Sequence, residues 1–165
     1  MTPLDVQVLL WLNQGLTHPL LDLLALWLAQ VGGFSVPLFL GVLGWMMHRQ
    51  GRRGLVLGGV LLALVGLGDA LGGQIKSQWG QPRPCSRHAA DAPWVRQPAH
   101  LGAPHCGEAR NGMPSNHTLN FFTLAAFMGM VFPGWRVRGG FLALALLMGL
   151  SRVYLGVHYP SQVVA

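Results

Sequence analysis

Apolar positions fill most of this chain and fall into long runs separated by short polar knots. Residues 54–75 form the clearest run, about the 20 residues that a helix needs to cross a hydrocarbon core. Its glycines (Gly58, Gly59, Gly66, Gly68, Gly72, Gly73) predict close packing against neighbouring helices. Residues 115–132 and 139–157 predict two further spans, with FPGWRVRGG as the turn between them. Residues 20–31 and 34–47 are apolar too, divided at Gly32-Gly33. They predict either one tilted or broken span, or a re-entrant helix followed by a span. HRQGRR at 48–53 reads as a compact basic turn.

The N-terminal stretch is different. Residues 4–16 mix Asp5, Gln7, Asn13 and Gln14 with leucines, valines and Trp11, too short and too polar to span. An interfacial helix is expected there. His18-Pro19 ends it, and Pro19 suits the first turn of the next helix. Tyr159-Pro160 starts a last helix, and Ala165 falls well short of completing it. Residues 77–114 are a polar loop with six prolines between Pro82 and Pro114 and no sustained periodicity, which predicts a structured loop.

Composition sharpens the class. The 165 residues are 52% hydrophobic and 10% charged, against about a quarter charged in soluble domains. One membrane-embedded domain over 1–165 is expected: all-α, a polytopic helical bundle. The net charge of +6 raises the question of nucleic acid, but no basic run or aromatic-basic face accompanies it. Membrane topology plus an anion site accounts for it. No basic stretch precedes the first apolar residues, so no secretory signal is expected. HRQGRR and WRVR lie on one side, which the positive-inside rule makes cytoplasmic, so the loop faces outward. Arg87, Arg96 and Arg110 in that loop weaken the contrast, although long loops count less in the rule.

Both cysteines, Cys85 and Cys106, lie in the loop. A disulfide fits an oxidising exterior; two unrelated free thiols are the alternative, since sequence does not show how closely their Cα atoms approach. His88, His100 and His105 make no zinc spacing with them, and no metal is expected.

The chemistry gathers at helix ends. Lys76 closes one span and Arg83-Pro84 follows in the loop. Pro114-Ser115-Asn116-His117 opens the next span, and Ser151-Arg152 with His158 closes the third. Three distant segments thus send cations and two histidines to one membrane face. Lys76, Arg83 and Arg152 offer charge and donors matched to phosphate oxygens. A helix start at Pro114-Ser115 adds free backbone amides. Two histidines are what covalent phosphoryl transfer needs, one as nucleophile and one as acid. Each residue also has a plainer reading: a snorkelling lysine, a loop arginine, a capping serine, an idle interfacial histidine. Arg152 fits that reading least, because arginine inside an apolar segment is costly.

These residues carry a resemblance. Lys76, six residues and Arg83-Pro84 match the first motif of the type-2 phosphatidic acid phosphatase superfamily, which includes vanadium haloperoxidases. Pro114-Ser115-Asn116-His117 is similar to its second motif, Pro-Ser-Gly-His, with Asn for Gly. Ser151-Arg152, five residues and His158 match the third. The resemblance covers roughly residues 18–165. It implies that Lys76, Arg83, Arg152 and Ser115 hold a phosphate, that His158 attacks phosphorus, and that His117 protonates the leaving oxygen, with no cofactor.

There are departures. The family has Asp four residues after the nucleophilic histidine, and here that position is Gln162. An amide oxygen can orient the ring but brings no negative charge. Asp69, on the face of Lys76, is a second orienting candidate, with helix packing or Lys76 pairing as its alternatives. The usual six-helix form also has a full first span.

The resemblance implies a membrane phosphatase acting on a lipid phosphate or diphosphate, with the bilayer and that lipid as partners. Its expected place is the outer face of a bacterial-type inner membrane. Undecaprenyl diphosphate is the leading substrate by analogy and compact size; phosphatidylglycerophosphate, phosphatidic acid and lipid A 1-phosphate are the alternatives. Lipid phosphotransfer and non-catalytic lipid-phosphate binding are the rival functions.

Overall fold

The computed structural model describes residues 2–86, 94–98, 106 and 111–164. Within them the chain is helical. A short helix α1 (Pro3–Leu10) runs into a π turn, Trp11–Gly15; α2 (Pro19–Ala29) is followed by a second π turn, Val31–Ser35, that leads into α3 (Val36–Gln50). Then come α4 (Arg52–Trp79), α5 (Asn116–Val131), α6 (Trp135–Tyr154) and the one-turn α7 (Pro160–Val164). Three stretches are long and apolar enough to cross a membrane: Val31–Gln50, Arg52–Trp79 and Trp135–Tyr154. The chain is a polytopic membrane helical bundle.

From α3 to α6 the helices pack in sequence order, and α2 lies against α6. α5 sits between α4 and α6, and α3 lies against α4. Leu124 and Met128 of α5 are fully buried against Met46 of α3 and Leu61 of α4. Phe121 of α5 packs with Ala145 and Met148 of α6 and stacks on Phe34 at a centroid separation of 5.9 Å. Lipid is as apolar as these side chains, so close packing rather than water exclusion holds the bundle together. On α4, Leu55, Val56, Leu62, Leu67 and Leu71 point outward, as a lipid-facing surface requires.

Several boundaries differ from expectation. HRQGRR is not a turn: His48, Arg49 and Gln50 complete α3, Arg52 begins α4, and Gly51 alone turns the chain at φ 55°. FPGWRVRGG shrinks likewise, because α6 already begins at Trp135. Gly139 and Gly140 stay helical, since each costs only about 1 kcal/mol relative to alanine. At its other end α6 stops at Tyr154, not at residue 157. Gly156 then takes φ 69°, and a Cβ there would run into Val95. α5 has 16 residues, a rise of about 24 Å and so short for a full crossing. The break in the second apolar region falls at Gln30, leaving α2 as an 11-residue helix distinct from the span that follows.

In the N-terminal segment two of the four polar residues, Asp5 and Asn13, turn inward, while Gln7 and Gln14 stay exposed. Asp5 is buried, completes a capping box with Thr2, and accepts from the Ser161 N–H at 2.9 Å. Asn13 is fully buried; its amide donates to the carbonyls of Tyr154 at 2.7 Å and Arg96 at 2.9 Å. Arg96 makes a two-pronged ion pair with Asp22 of α2 at 2.9 and 2.6 Å, and the Tyr154 hydroxyl donates to the same carboxylate. This cluster straps the loop segment 94–98 across α2 and the end of α6.

Candidate active site

Three turns form the site, and each is held by the backbone. At the end of α6, the Arg152 carbonyl accepts from the N–H groups of Val157 at 3.1 Å and His158 at 3.3 Å. That double acceptance folds the chain back, so the two side chains are presented together. After α4, Gly80 in the left-handed region ends the helix by donating to the Lys76 carbonyl at 3.2 Å. The chain then extends through Gln81 and Pro82 to Arg83, whose carbonyl accepts from the Ser86 N–H at 2.9 Å. The third turn, Gly112 to Ser115, is pinned by Gly112 N–H donating to Gln81 and Ser115 N–H donating to Gln162, both at 2.9 Å.

Together they surround a cavity of about 410 Å³ lined by Lys76, Arg83, Asn116, His117, Arg152 and His158, with Gln30 and apolar residues of α2 on one side. Four buried polar atoms there have no hydrogen-bond partner among the described residues: Arg83 Nε, His117 Nε2, Arg152 Nη2 and His158 Nδ1. Three cations converging with unsatisfied donors fit an anion with several acceptor oxygens, such as a phosphate group. At the first turn of α5, Asn116 and His117 also carry amide N–H groups with no intrahelical acceptor. Burial, with the Arg83 and Arg152 charges behind it, pushes the His158 ring down to about 3; the Gly112 carbonyl opposes this and Lys76 adds to it. Burial lowers Arg83 as well.

Of the residues singled out in the sequence, Lys76, Arg83, Arg152, His117 and His158 therefore share one cavity. Ser115 does not line it. It is buried beneath, next to a separate hollow with Thr118, Leu119 and Val163, and its hydroxyl accepts from Thr118 at 3.1 Å.

The two orienting candidates are engaged elsewhere. Gln162 is fully buried; its side-chain oxygen accepts from the Tyr159 N–H at 3.2 Å and its amide donates to the Pro82 carbonyl at 3.0 Å. It ties the turns to one another, and both ends of its amide have partners other than His158. Asp69 Oδ1 accepts from the amides of Asn116 at 2.8 Å and Asn120 at 3.2 Å. It reaches Lys76 only through Asn116, whose Oδ1 accepts from the lysine ammonium. Asn116 was visible in the sequence only as an exception to the Pro-Ser-Gly-His pattern.

Cys85 and Cys106 form a disulfide, with Cα atoms 5.5 Å apart. The bridge begins two residues after Arg83, and Cys106 packs on Ala25, Leu26 and Tyr154. His88, His100, His105, Arg87 and Arg110 lie outside the described residues.

Comparison with known proteins agrees with this arrangement. The family model described as PAP2 superfamily matches residues 55–165, which contain all three turns. The chain belongs to the PAP2 superfamily. Among the family's curated members, lipid A 1-phosphatase of Rhizobium johnstonii is 39% identical over 64 residues, 38% of this chain and 25% of that protein. Undecaprenyl-diphosphatase BcrC of Bacillus subtilis is 34% identical over 71 residues, 43% of this chain and 35% of that protein. The match thus spans a quarter to a third of the length of these two relatives. The PAP2 fold extends over almost the whole chain. The crystal structure of Aquifex aeolicus LpxE superposes with TM-score 0.74 at 24% identity, covering 99% of this chain and 87% of that one. The PAP2 type phosphatidylglycerolphosphate phosphatase from Bacillus subtilis gives 0.64 at 22%, covering 98% and 78%.

Proposed function

We propose that the chain is a membrane phosphatase that removes phosphate from a lipid phosphate or diphosphate through a phosphohistidine. The observation that carries this reading is the single cavity in which Lys76, Arg83 and Arg152 face two histidines beside an apolar groove. The three cations hold the phosphoryl oxygens and stabilise the charge that builds on them during transfer. A ring nitrogen of neutral His158 attacks phosphorus, the bond from phosphorus to the lipid-side oxygen breaks, and His117 gives that oxygen its proton. Water then attacks the phosphohistidine, His117 takes the water's proton, and inorganic phosphate leaves. Ser115 contributes by fixing the start of α5.

The basic ends of α3, α4 and α6 lie opposite the cavity end of the bundle, because α3 and α4 are joined through Gly51 alone and α5 and α6 by Phe132–Gly134. The positive-inside rule then puts the cavity on the outer face of a bacterial inner membrane. The disulfide supports the same placement. Relatives named for lipid A 1-phosphate and for undecaprenyl diphosphate put both substrates in the test panel.

The experiment is phosphate release by the purified chain from those lipids, with phosphatidylglycerophosphate and phosphatidic acid alongside. His158→Ala is expected to lower turnover by roughly four orders of magnitude or more, the scale seen when a covalent nucleophile is removed. Near-normal release by that variant would overturn the mechanism. Phosphate appearing on a second lipid rather than free in solution would make the protein a phosphotransferase.

A further inference from the structure

Beside the basic cavity lies a second hollow of about 510 Å³, walled by Val36, Phe39, Leu43 and Val65 from α3 and α4 and open to the side. It shares Val31, Asn116 and His117 with the basic cavity, so the two hollows adjoin at His117. If His117 protonates the leaving oxygen, every atom beyond that oxygen lies on the groove side. Besides His117, the polar residues lining the groove are Ser35, Asp69, Asn116 and Asn120, and the last three form a connected ledge.

This ledge is unusual on three counts. Asp69 is exposed on a membrane-spanning helix, two turns before Lys76, where a carboxylate facing hydrocarbon is costly. Its Oδ1 accepts from both asparagine amides, while Oδ2 has no partner among the described residues. Asn116 in turn faces Gly72, and a Cβ at that position would collide with its side-chain oxygen. The two asparagines therefore hold the carboxylate at the groove rather than neutralising it.

We propose that Asp69 selects the leaving part of the substrate: it favours a lipid carrying a hydrogen-bond donor, such as a hydroxyl or amide N–H, within a few atoms of the phosphate ester, and disfavours a second phosphate at that place. This rests on the phosphatase reading above and narrows it. A neutral hydroxyl donates to Oδ2 and satisfies both groups. The inner phosphate of a prenyl diphosphate would instead bring negative charge against the carboxylate in a low-dielectric groove, where repulsion is strong.

Asp69→Asn tests this without changing shape. The amide can keep its oxygen toward Asn116 and Asn120 while turning its NH₂ to the groove, converting an acceptor into a donor. Phosphate release would be measured for the purified full chain in mixed micelles on three lipids. Lysophosphatidic acid has a free hydroxyl next to the phosphate-bearing carbon, phosphatidic acid has it esterified, and farnesyl diphosphate carries the second phosphate.

In the variant, kcat/KM for lysophosphatidic acid relative to phosphatidic acid is expected to fall roughly tenfold or more, the worth of a hydrogen bond to a charged group. The value for farnesyl diphosphate relative to phosphatidic acid should rise. A parallel change on all three lipids, with activity still dependent on His158, would overturn this proposal alone and leave Asp69 as a support for Asn116. No release by the wild-type chain from any of them, or from the lipid A 1-phosphate, undecaprenyl diphosphate and phosphatidylglycerophosphate of the panel above, would overturn both readings.

Discussion

His158 shows how a single side chain is prepared by its surroundings. With its ring pushed down to about 3, it is neutral throughout the physiological range, the state that the proposed nucleophile requires. The same shift sets a pH dependence of stability. In the unfolded chain a histidine titrates near 6.5, so between about 6.5 and 3 the unfolded state binds a proton that the folded state does not. Stability should therefore fall as pH drops through that window. Thermal melts in detergent should show a shallower decline for His158→Phe than for the native chain between pH 7 and pH 4.5. Inorganic phosphate should flatten the native decline as well, because a bound anion favours the protonated ring.

Gln162 carries a different kind of weight. Gln162→Leu would remove the bonds that the side-chain amide makes with the Tyr159 N–H and the Pro82 carbonyl, at about 0.5–1.5 kcal/mol each, and should lower the melting temperature. Gln162→Asp, which restores the family's usual residue, should also lower turnover, because its carboxylate cannot donate to Pro82. A rise in turnover with an unchanged melting temperature would show that a carboxylate here reaches His158 after all.

At the scale of elements, the disulfide closes a loop in the segment after α4. Closing a loop of this length removes roughly 3 kcal/mol of unfolded-chain freedom in the entropic account. The bridge also anchors Arg83 through the short turn to Ser86. Replacing both cysteines by serine should thus raise KM for a lipid phosphate more than it lowers kcat, since the loss is in holding the phosphate. Mass spectrometry of non-reduced peptides checks the pairing itself.

The helix-end chemistry was legible in the sequence because Lys76, Arg83, His117, Arg152 and His158 stand out against apolar neighbours. What Gln162, Asn13 and Asp5 do was not legible. Each acts through bonds to residues 80 or more positions away, and a polar residue among leucines reads the same whether it faces headgroups or a buried carbonyl. The position of Ser115 was not legible for a related reason: the pattern identifies a helix start without saying on which side of it a cavity lies.

At the scale of the molecule, the alternating directions of α3 to α6 put Gly51 and Gly134 at one end and Ser77 at the other. With the native cysteines paired, single cysteines introduced at these positions report on topology. An impermeant thiol reagent added to intact cells should label Ser77→Cys, and label Gly51→Cys and Gly134→Cys only after lysis. The reverse pattern would turn the enzyme over in its membrane and give it a cytoplasmic substrate pool.

For a phosphatase of the kind proposed, the groove between α3 and α4 decides what kind of encounter it has with a lipid substrate. Lifting a lipid chain into water costs about 0.8 kcal/mol per methylene, prohibitive for any long-chain lipid, and a groove open to the bilayer makes the lift unnecessary. Under the proposed function, the substrate would arrive by lateral diffusion in its own leaflet and its hydrocarbon would never leave. The concentration that governs the rate is then two-dimensional: molecules of substrate per unit area of membrane, set by how crowded that leaflet is with other lipids rather than by the volume of solution around it.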